Sequence, residues 1–179
     1  MGLRACLLAA SLCTWLLLFC GANGQTPGIY RGKEEKLPQT AAPQPLLFSH
    51  EKHAGAGMTC LNCHENVMTK ERAGIPGTAK CMVCHETIAR DKPDIKKLAQ
   101  IHRQGGKLEW VRVYRVPDYV FFSHSHHMKA GAECSTCHGP VHRRAVVAKE
   151  VSTSMIACMN CHTEKGASTK CHTCHDLGQ

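Results

Sequence analysis

Cysteine and histidine recur together in this sequence in one spacing, C-x-x-C-H, which occurs five times. Numbered in chain order as motifs 1 to 5, they consist of Cys60, Cys63 and His64; Cys81, Cys84 and His85; Cys134, Cys137 and His138; Cys158, Cys161 and His162; and Cys171, Cys174 and His175. Two thiols followed by an imidazole are the attachment signature of c-type haem. The thiols bond to the haem vinyl groups, and the histidine is the proximal ligand of the iron. We therefore predict five covalently attached c-type haems.

Paired cysteines have other uses, which fit this pattern less well. A single C-x-x-C pair also occurs in redox dithiols and as half of a zinc site. Ten cysteines in an exported chain would also be enough for five disulfides. Neither a zinc site nor a disulfide scaffold requires histidine directly after every second cysteine. Because residues 25–179 contain no cysteine outside the motifs, haem attachment is favoured for all five.

Two stretches before motifs 1 and 3 contain further histidines in a repeated pattern. The segments that begin at Phe48 and Phe122 both follow F-S-H-x-x-H-x-x-A-G-x-x-C-x-x-C-H, at an offset of 74 residues and without a gap. Histidines three apart on a helical turn are neighbours that diverge in direction. One can ligate the haem of the following motif, while the other turns toward a different haem. The predicted distal ligands are His50, His53, His124 and His127.

A fifth distal ligand is needed, and the sequence leaves several candidates. His102 lies in a predicted helix from Lys92 to Gln104, with proline in its first turn and Gly105-Gly106 after its end. We favour His102, which shares a helix face with apolar residues. The alternatives are His142 and then Met155, whose thioether would raise the potential of its haem.

The repeat defines the expected organisation of the chain. Two-haem units are predicted at about 46–90 and 120–165, with the fifth haem added at about 166–179. Residues 46–179 would form one pentahaem cytochrome domain. Residues 25–45 are rich in proline, glycine and charge, and we predict a flexible leader there.

Residues 1–24 have the layout of a secretory signal peptide. Arg4 is followed by an uncharged stretch rich in leucine and alanine, and Ala22-Asn23-Gly24 is an acceptable cleavage site. An uncleaved membrane anchor and a lipid attached to Cys20 are the alternatives. All three place the bulk of the chain outside the cytoplasm, so we predict a periplasmic protein, with membrane association possible through the N-terminus.

The net positive charge of the chain has an explanation other than nucleic-acid binding. Arg4 is the one charged residue before Gln25, so the mature chain carries +7, one less than the +8 of the whole sequence. Each ferric haem adds about −1, because its two propionates outweigh the single net positive charge of the ferric porphyrin iron, and five haems leave a total of about +2. The lysines and arginines thus mainly compensate cofactor anions, and we predict no nucleic-acid binding.

The segment Phe48 to His64 resembles the class III multihaem cytochromes of the c3 and c7 type, which begin with F-x-H-x-x-H before the first C-x-x-C-H. The later segments GKLEWVRVY (106–114) and PDYVFFSH (117–124), followed by motif 3 with Gly139-Pro140, are similar to c7-like subunits of respiratory complexes, in particular the pentahaem subunit of alternative complex III. The resemblance implies bis-histidine electron carriers. The distal positions that it implies in this chain are His50, His53, His124 and His127.

The cofactors also predict the fold and the kind of activity. Few large side chains remain to form a core, since the sequence has two Trp, three Tyr and four Phe. We expect a mainly α-helical c7-like fold with much irregular loop and little or no β-structure, wrapped around a stack of five haems. It would carry electrons between a donor and an acceptor redox protein. The alternatives are a haem subunit of a membrane respiratory complex, such as a quinol-oxidising one, and a multihaem reductase.

The haem content is directly measurable. The pyridine haemochrome of the purified holoprotein should give five haems per chain, and the intact mass should exceed that of the polypeptide by five haem groups. The same mass reports whether residues 1–24 have been removed. A count of four or fewer would contradict the assignment of all five motifs.

Overall fold

Short helices joined by long irregular segments make up the computed structural model, which describes residues 30–33 and 35–176. The α-helices are α1 (His50–Gly55), α2 (Cys60–Cys63), α3 (Thr78–His85), α4 (Pro93–Arg103), α5 (His124–Lys129), α6 (Cys134–His138), α7 (Met155–Glu164) and α8 (Cys171–Cys174). Two 3₁₀ helices, Glu65–Met68 and Val141–Arg143, follow motifs 1 and 3. In the described part of the chain, the β-pairing is an isolated antiparallel bridge between Val120 and His175. The predicted mainly α-helical fold is confirmed.

The predictions for residues 1–24, including the signal peptide and the alternative of a lipid on Cys20, lie outside the described residues. Within the described ranges, no helix has the length and apolar character needed to cross a membrane.

Each haem motif coincides with a helix. His85, His138 and His162 belong to the helices that carry their cysteines, whereas His64 and His175 are the first residues after α2 and α8. A helix places the two cysteines and the histidine of C-x-x-C-H on neighbouring turns. The motif therefore needs only one helical turn, and most of these helices are too short to be stable without tertiary contacts.

The helices α1 and α5, which precede motifs 1 and 3, have the same local structure. The hydroxyls of Ser49 and Ser123 cap their N-termini by accepting from the backbone N–H three residues later. After both helices the backbone passes through a glycine with positive φ, 84° at Gly57 and 79° at Gly131, a conformation that favours glycine. The repeated sequence therefore folds twice into the same turn.

The two copies pack against each other reciprocally. Helix α1 contacts the 3₁₀ helix after motif 3, and α5 contacts the 3₁₀ helix after motif 1. The N–H of Glu51 donates to the carbonyl of Arg144 at 3.1 Å, and the N–H of Ser125 donates to the carbonyl of Lys70 at 3.2 Å. These two bonds join equivalent positions, because Ser125 lies 74 residues after Glu51 and Arg144 lies 74 residues after Lys70. This pattern is that of a two-fold interface formed within one chain.

Apolar side chains form only a small core in the described residues. Leu46, Met82 and Leu98 are buried together, with Ile95 and Trp110 against them. The core lies between α3 and α4, and Leu98 is 3% exposed. Helix α4 occupies nearly the span predicted for it, with Pro93 at its start. Apolar burial therefore organises one end of the molecule rather than its whole length.

The described residues of the segment 25–45 contact distant parts of the chain. The N–H of Tyr30 donates to the side-chain oxygen of Asn160 at 2.7 Å. The Glu35 carboxylate accepts from the ammonium of Lys149, the hydroxyl of Ser152 and the N–H of Thr153. These bonds, with that of Lys149 foremost, hold the pKa of Glu35 below its ordinary value. The segment is thus attached to the unit that carries motif 4.

Replacing Glu35 should weaken this attachment. Glu35→Gln leaves the ammonium of Lys149, only 10% exposed, without a counter-charge, so we expect a loss of about 1–3 kcal/mol in the free energy of unfolding at pH 7. Because the pKa of folded Glu35 is lowered, its contribution exists above the unfolded pKa and disappears as the pH falls through the folded pKa. The difference between the variant and the wild type should therefore shrink below about pH 4.5.

The matched control is Glu65→Gln. Glu65 pairs with Lys80 at 2.6 Å, but the two side chains are 63% and 45% exposed. Exposed pairs contribute little, so this variant should lose much less stability. Chemical denaturation of the holoproteins, followed by far-UV circular dichroism, measures both. Equal losses in the two variants would contradict the role given to Glu35.

Candidate haem-binding site

The ten cysteines of the motifs are all free thiols in the structure. In each motif, thiols that form no disulfide stand one helical turn apart, the arrangement needed for two thioether bonds to one porphyrin. Burial raises the pKa of several of them, including Cys137 and Cys158. Across residues 30–33 and 35–176, no group of three or more Cys, His, Asp or Glu is arranged to hold a metal ion. The thiols fit haem attachment.

Histidine rings face each other in pairs. The ring centroids of His124 and His138 are 6.3 Å apart with planes only 3° from parallel. Those of His127 and His162 are 6.1 Å apart at 39°. Metal–imidazole bonds are about 2 Å long and a ring nitrogen lies roughly 1 Å from the ring centre, so trans imidazoles on one metal have centroids about 6 Å apart. Both pairs have the separation that a bis-histidine iron requires.

Both histidines of α1 also lie near motif histidines. The rings of His53 and His85 are 6.1 Å apart at 72°. His50 lies near His64: burial lowers its pKa, and the proximity of His64 and His53 lowers it further. Each predicted distal histidine therefore lies near a motif histidine. In both repeats, the first histidine lies near its own motif and the second near the next one.

Backbone carbonyls fix the orientation of seven of these rings. Each carbonyl accepts a hydrogen bond from the histidine Nδ1, at 2.6 Å for His64 and Gly74, for example. The seven histidines are His53, His64, His85, His124, His127, His162 and His175. Because a carbonyl can only accept, the proton is on Nδ1 and the Nε2 lone pair is left for a metal. This is the usual outer-shell support of a metal-binding histidine.

His50 differs from its counterpart in the repeat. The Nδ1 of His124 bonds to the carbonyl of Glu71 at 2.7 Å, whereas the Nδ1 of His50 is buried with no protein partner. The two repeats are thus equivalent in their helices but not in the hydrogen bonding of these rings.

Aromatic residues that the sequence did not identify as functional hold the rings in place. Phe48 stacks on His53 at 4.3 Å and meets His50 edge-on at 4.8 Å, and Phe122 contacts His127 and His124 in the same way. The repeated F-S-H motif was the signal that could have revealed this role.

Tyr114 supports motif 3 from outside the repeat. Its ring lies edge-on to His138 with the centroids 4.5 Å apart, and its hydroxyl donates to the carbonyl of His138 at 3.3 Å. The same hydroxyl accepts from the N–H of Glu150 at 3.0 Å. No spacing in the sequence indicates these contacts.

The candidates for a fifth distal ligand lie in different places. The Nδ1 of His102 is 3.1 Å from the hydroxyl of Thr78, at the start of the helix that carries motif 2. The Nε2 of His142 accepts from Arg143 at 3.2 Å, and Met155 is 61% exposed. The ring beside His175 is that of Tyr119, at 5.9 Å. The structure does not bring His102 to motif 5, and its ligand role stays a prediction.

Contacts between motifs give a linear order. The thiols of Cys60 and Cys134 lie close enough for Cys60 to contribute to the raised pKa of Cys134, which brings motifs 1 and 3 together. The histidines of α1 lie near motifs 1 and 2, and those of α5 lie near motifs 3 and 4. The Nδ1 of His162 donates to the carbonyl of Ser168 at 2.7 Å, and the N–H of Phe121 donates to the carbonyl of Cys174 at 2.8 Å, which places motif 5 beside motif 4 and α5. The order is 2–1–3–4–5.

Comparison with known proteins agrees with this geometry. A family model described as the class III cytochrome C family matches residues 29–110, and one described as cytochrome c7 and related cytochrome c matches residues 120–176. The chain is therefore a c3/c7-like multihaem cytochrome, and covalently bound c-type haem is its cofactor class.

A relative is the "Menaquinone reductase, multiheme cytochrome c subunit" of Nitratidesulfovibrio vulgaris strain Hildenborough. It is 29% identical over 160 residues, which cover 74% of this chain and 76% of that protein. The resemblance to c3 and c7 cytochromes that the sequence indicated is confirmed.

Two neighbouring histidines on α5 allow a matched test of distal ligation. His127→Ala removes the ring opposite His162, so we expect low-temperature EPR of the oxidised holoprotein to show one new high-spin ferric signal. His126→Ala changes an exposed residue of the same helix and should leave the wild-type spectrum unchanged. Identical spectra for the two variants would exclude His127 as a ligand.

Proposed function

We propose that this chain is an exported pentahaem cytochrome that passes electrons through closely spaced haems, most of them bis-histidine ligated, between respiratory redox partners. Bound c-type haem would supply one-electron exchange between ferric and ferrous iron. The residues of this chain would attach it, ligate it and fix its position.

The observation that carries this proposal is the set of opposed histidine rings. Three pairs have centroids 6.1–6.3 Å apart, and His50 lies near enough to His64 for that residue to lower its pKa. An iron with two strong protein ligands has no position left for a substrate, which favours electron transfer over catalysis at these sites. Two histidine ligands also favour low potentials relative to a histidine–methionine pair.

The arrangement of the residues supports rapid transfer between neighbouring sites. Each of α1 and α5 provides ligands for two motifs from histidines three residues apart, so two haems would be bound to a single helical turn. Motifs 1 and 3 are joined directly by the contact between Cys60 and Cys134. These short connections would keep every haem next to another along the order 2–1–3–4–5.

We further propose that the cytochrome works as a subunit of a quinone-linked membrane complex. Its relative is named as the multihaem cytochrome c subunit of a menaquinone reductase. The segments 106–114 and 117–124 resemble the pentahaem subunit of alternative complex III, which is also a respiratory assembly. Both likenesses support the same role, in which the other subunits handle the quinone and this chain carries the electrons.

Isolation of the native protein from membranes tests whether the chain is a subunit of such a complex. A C-terminally tagged chain, expressed in its own organism, would be purified from detergent-solubilised membranes and run on a native gel with haem staining. We expect a haem band far above the 19.6 kDa of the chain, and reduction of its haems by a menaquinol analogue. A haem band found only as a soluble monomer that exchanges electrons with dithionite would favour the independent carrier instead.

A further inference from the structure

Hydrogen bonds to Nδ1 divide the histidines beside motifs 1 to 4 into two classes. A ring is anchored when its Nδ1 donates to a backbone carbonyl. Beside motif 2, both His53 and His85 are anchored, with bonds of 2.7 and 3.0 Å. Beside motif 4, both His127 and His162 are anchored, with bonds of 2.8 and 2.7 Å. The haems of motifs 2 and 4 would therefore each lie between two anchored rings.

Motifs 1 and 3 each combine one anchored ring with one that is not anchored. His64 and His124 are anchored through bonds of 2.6 and 2.7 Å. The Nδ1 of His50, beside motif 1, is buried with no protein partner. The ring of His138, in motif 3, contacts the rings of Tyr114 and His124, and no carbonyl within the described ranges accepts from its Nδ1. The same deficit thus occurs once at each of these two motifs.

Tyr114 holds His138 by other means. Its hydroxyl donates to the carbonyl of His138 at 3.3 Å and accepts from the N–H groups of Glu150 at 3.0 Å and Val151 at 3.3 Å. A hydroxyl has one hydrogen and two lone pairs, so all three are used. The ring of His138 is therefore oriented by edge-on packing at 4.5 Å and receives no hydrogen bond from Tyr114.

An anchored ring is a stronger ligand than an unanchored one. Donation from Nδ1 to a carbonyl increases the electron density of the imidazole and so the basicity of its Nε2. A more basic ligand stabilises ferric iron relative to ferrous iron, and outer-shell hydrogen bonds of this kind are one of the means by which a protein lowers a haem potential. Two anchored rings should lower the potential more than one.

We propose that the haems of motifs 1 and 3 have higher reduction potentials than those of motifs 2 and 4, because one ligand of each, His50 or His138, is not anchored. Motifs 1 and 3 are neighbours inside the order 2–1–3–4–5, so electrons supplied by the reduced partner would collect on this central pair. In each step one electron passes from ferrous iron at motif 2 or 4 to ferric iron at motif 1 or 3, and no proton moves. The inference rests on the proposed electron-transfer function.

The ring planes allow two of these haems to be distinguished in the wild-type holoprotein. The planes of His124 and His138 are 3° apart, and those of His53 and His85 are 72° apart. Nearly parallel imidazoles give low-spin ferric haem a rhombic EPR spectrum, whereas nearly perpendicular ones give a signal at larger g. In an EPR-monitored redox titration, we expect the rhombic signal of motif 3 to disappear at the higher potential. The expected difference is about tenfold in the one-electron equilibrium constant, or about 59 mV. Loss of the large-g signal at the higher potential would overturn the proposal.

Variants of the distal ligands extend the test to all four haems. His50→Met and His53→Met are matched changes three residues apart on α1, and His124→Met and His127→Met are the same pair on α5. Methionine raises the potential of its own haem, so the component that moves in an optical redox titration identifies that haem. A methionine that does not bind identifies it equally, through a new high-spin EPR signal.

We expect the variants of His50 and His124 to displace components from the upper half of the wild-type titration curve, and those of His53 and His127 to displace components from the lower half. The reverse order, or four components of equal potential, would contradict the proposal. If a variant does not assemble, the EPR titration of the wild type still decides between motifs 2 and 3.

Haem content separates this inference from the proposed function. If the wild type holds five haems and shows the rhombic and large-g signals, but the potentials follow another order, only this inference is wrong. If the wild type lacks these haems or gives no bis-histidine signal, the proposed function itself fails.

Discussion

Imidazole rings that face each other across about 6 Å are the constraint on which the other parts of this molecule depend. The separation is that of two ligands on one metal, and each ring of these three pairs except His138 is anchored through Nδ1 to a backbone carbonyl. Holding these rings in this way fixes α1 and α5 relative to the motif helices. The irregular segments follow from this, because their carbonyls are needed as acceptors. A chain with a small apolar core can thereby have a defined structure.

The sequence predicts the chemistry of the site better than its assembly. The C-x-x-C-H motifs and the repeated F-S-H-x-x-H are local patterns, so the motifs, the short helices and the neighbours of His53 and His127 could be anticipated. The ends of α4 also follow from Pro93 and Gly105. In contrast, the meeting of Cys60 with Cys134 depends on how two repeats pack, and no residue pattern encodes it. The acceptors Glu71 and Gly74 act through backbone carbonyls, which every residue possesses.

Long-range polar contacts could not be predicted from the sequence either. Glu35 and Lys149 are 114 residues apart, and composition alone predicts a flexible segment around Glu35. His102 has the helix predicted for it, but the fold places that helix at the motif 2 end, far along the order of motifs from motif 5. Helix periodicity identifies the inward face of α4 without indicating which motif that face meets. The net charge is a similar case, since the overall value of +8 does not reveal that positive residues are concentrated between residues 89 and 107.

The reciprocal contact of the two repeats has a consequence for the direction of electron flow. Motifs 1 and 3 are equivalent positions on either side of an approximate two-fold relation, so the centre of the molecule offers similar surroundings to an electron arriving from either side. A symmetrical centre cannot act as a rectifier. Any preferred direction must come from the differences between the halves, such as the unpaired Nδ1 of His50, and above all from the unlike ends, where α4 lies at one and motif 5 at the other. The proposed electron flow could therefore run in either direction through the centre, and the unlike ends are where a preferred direction would chiefly be set.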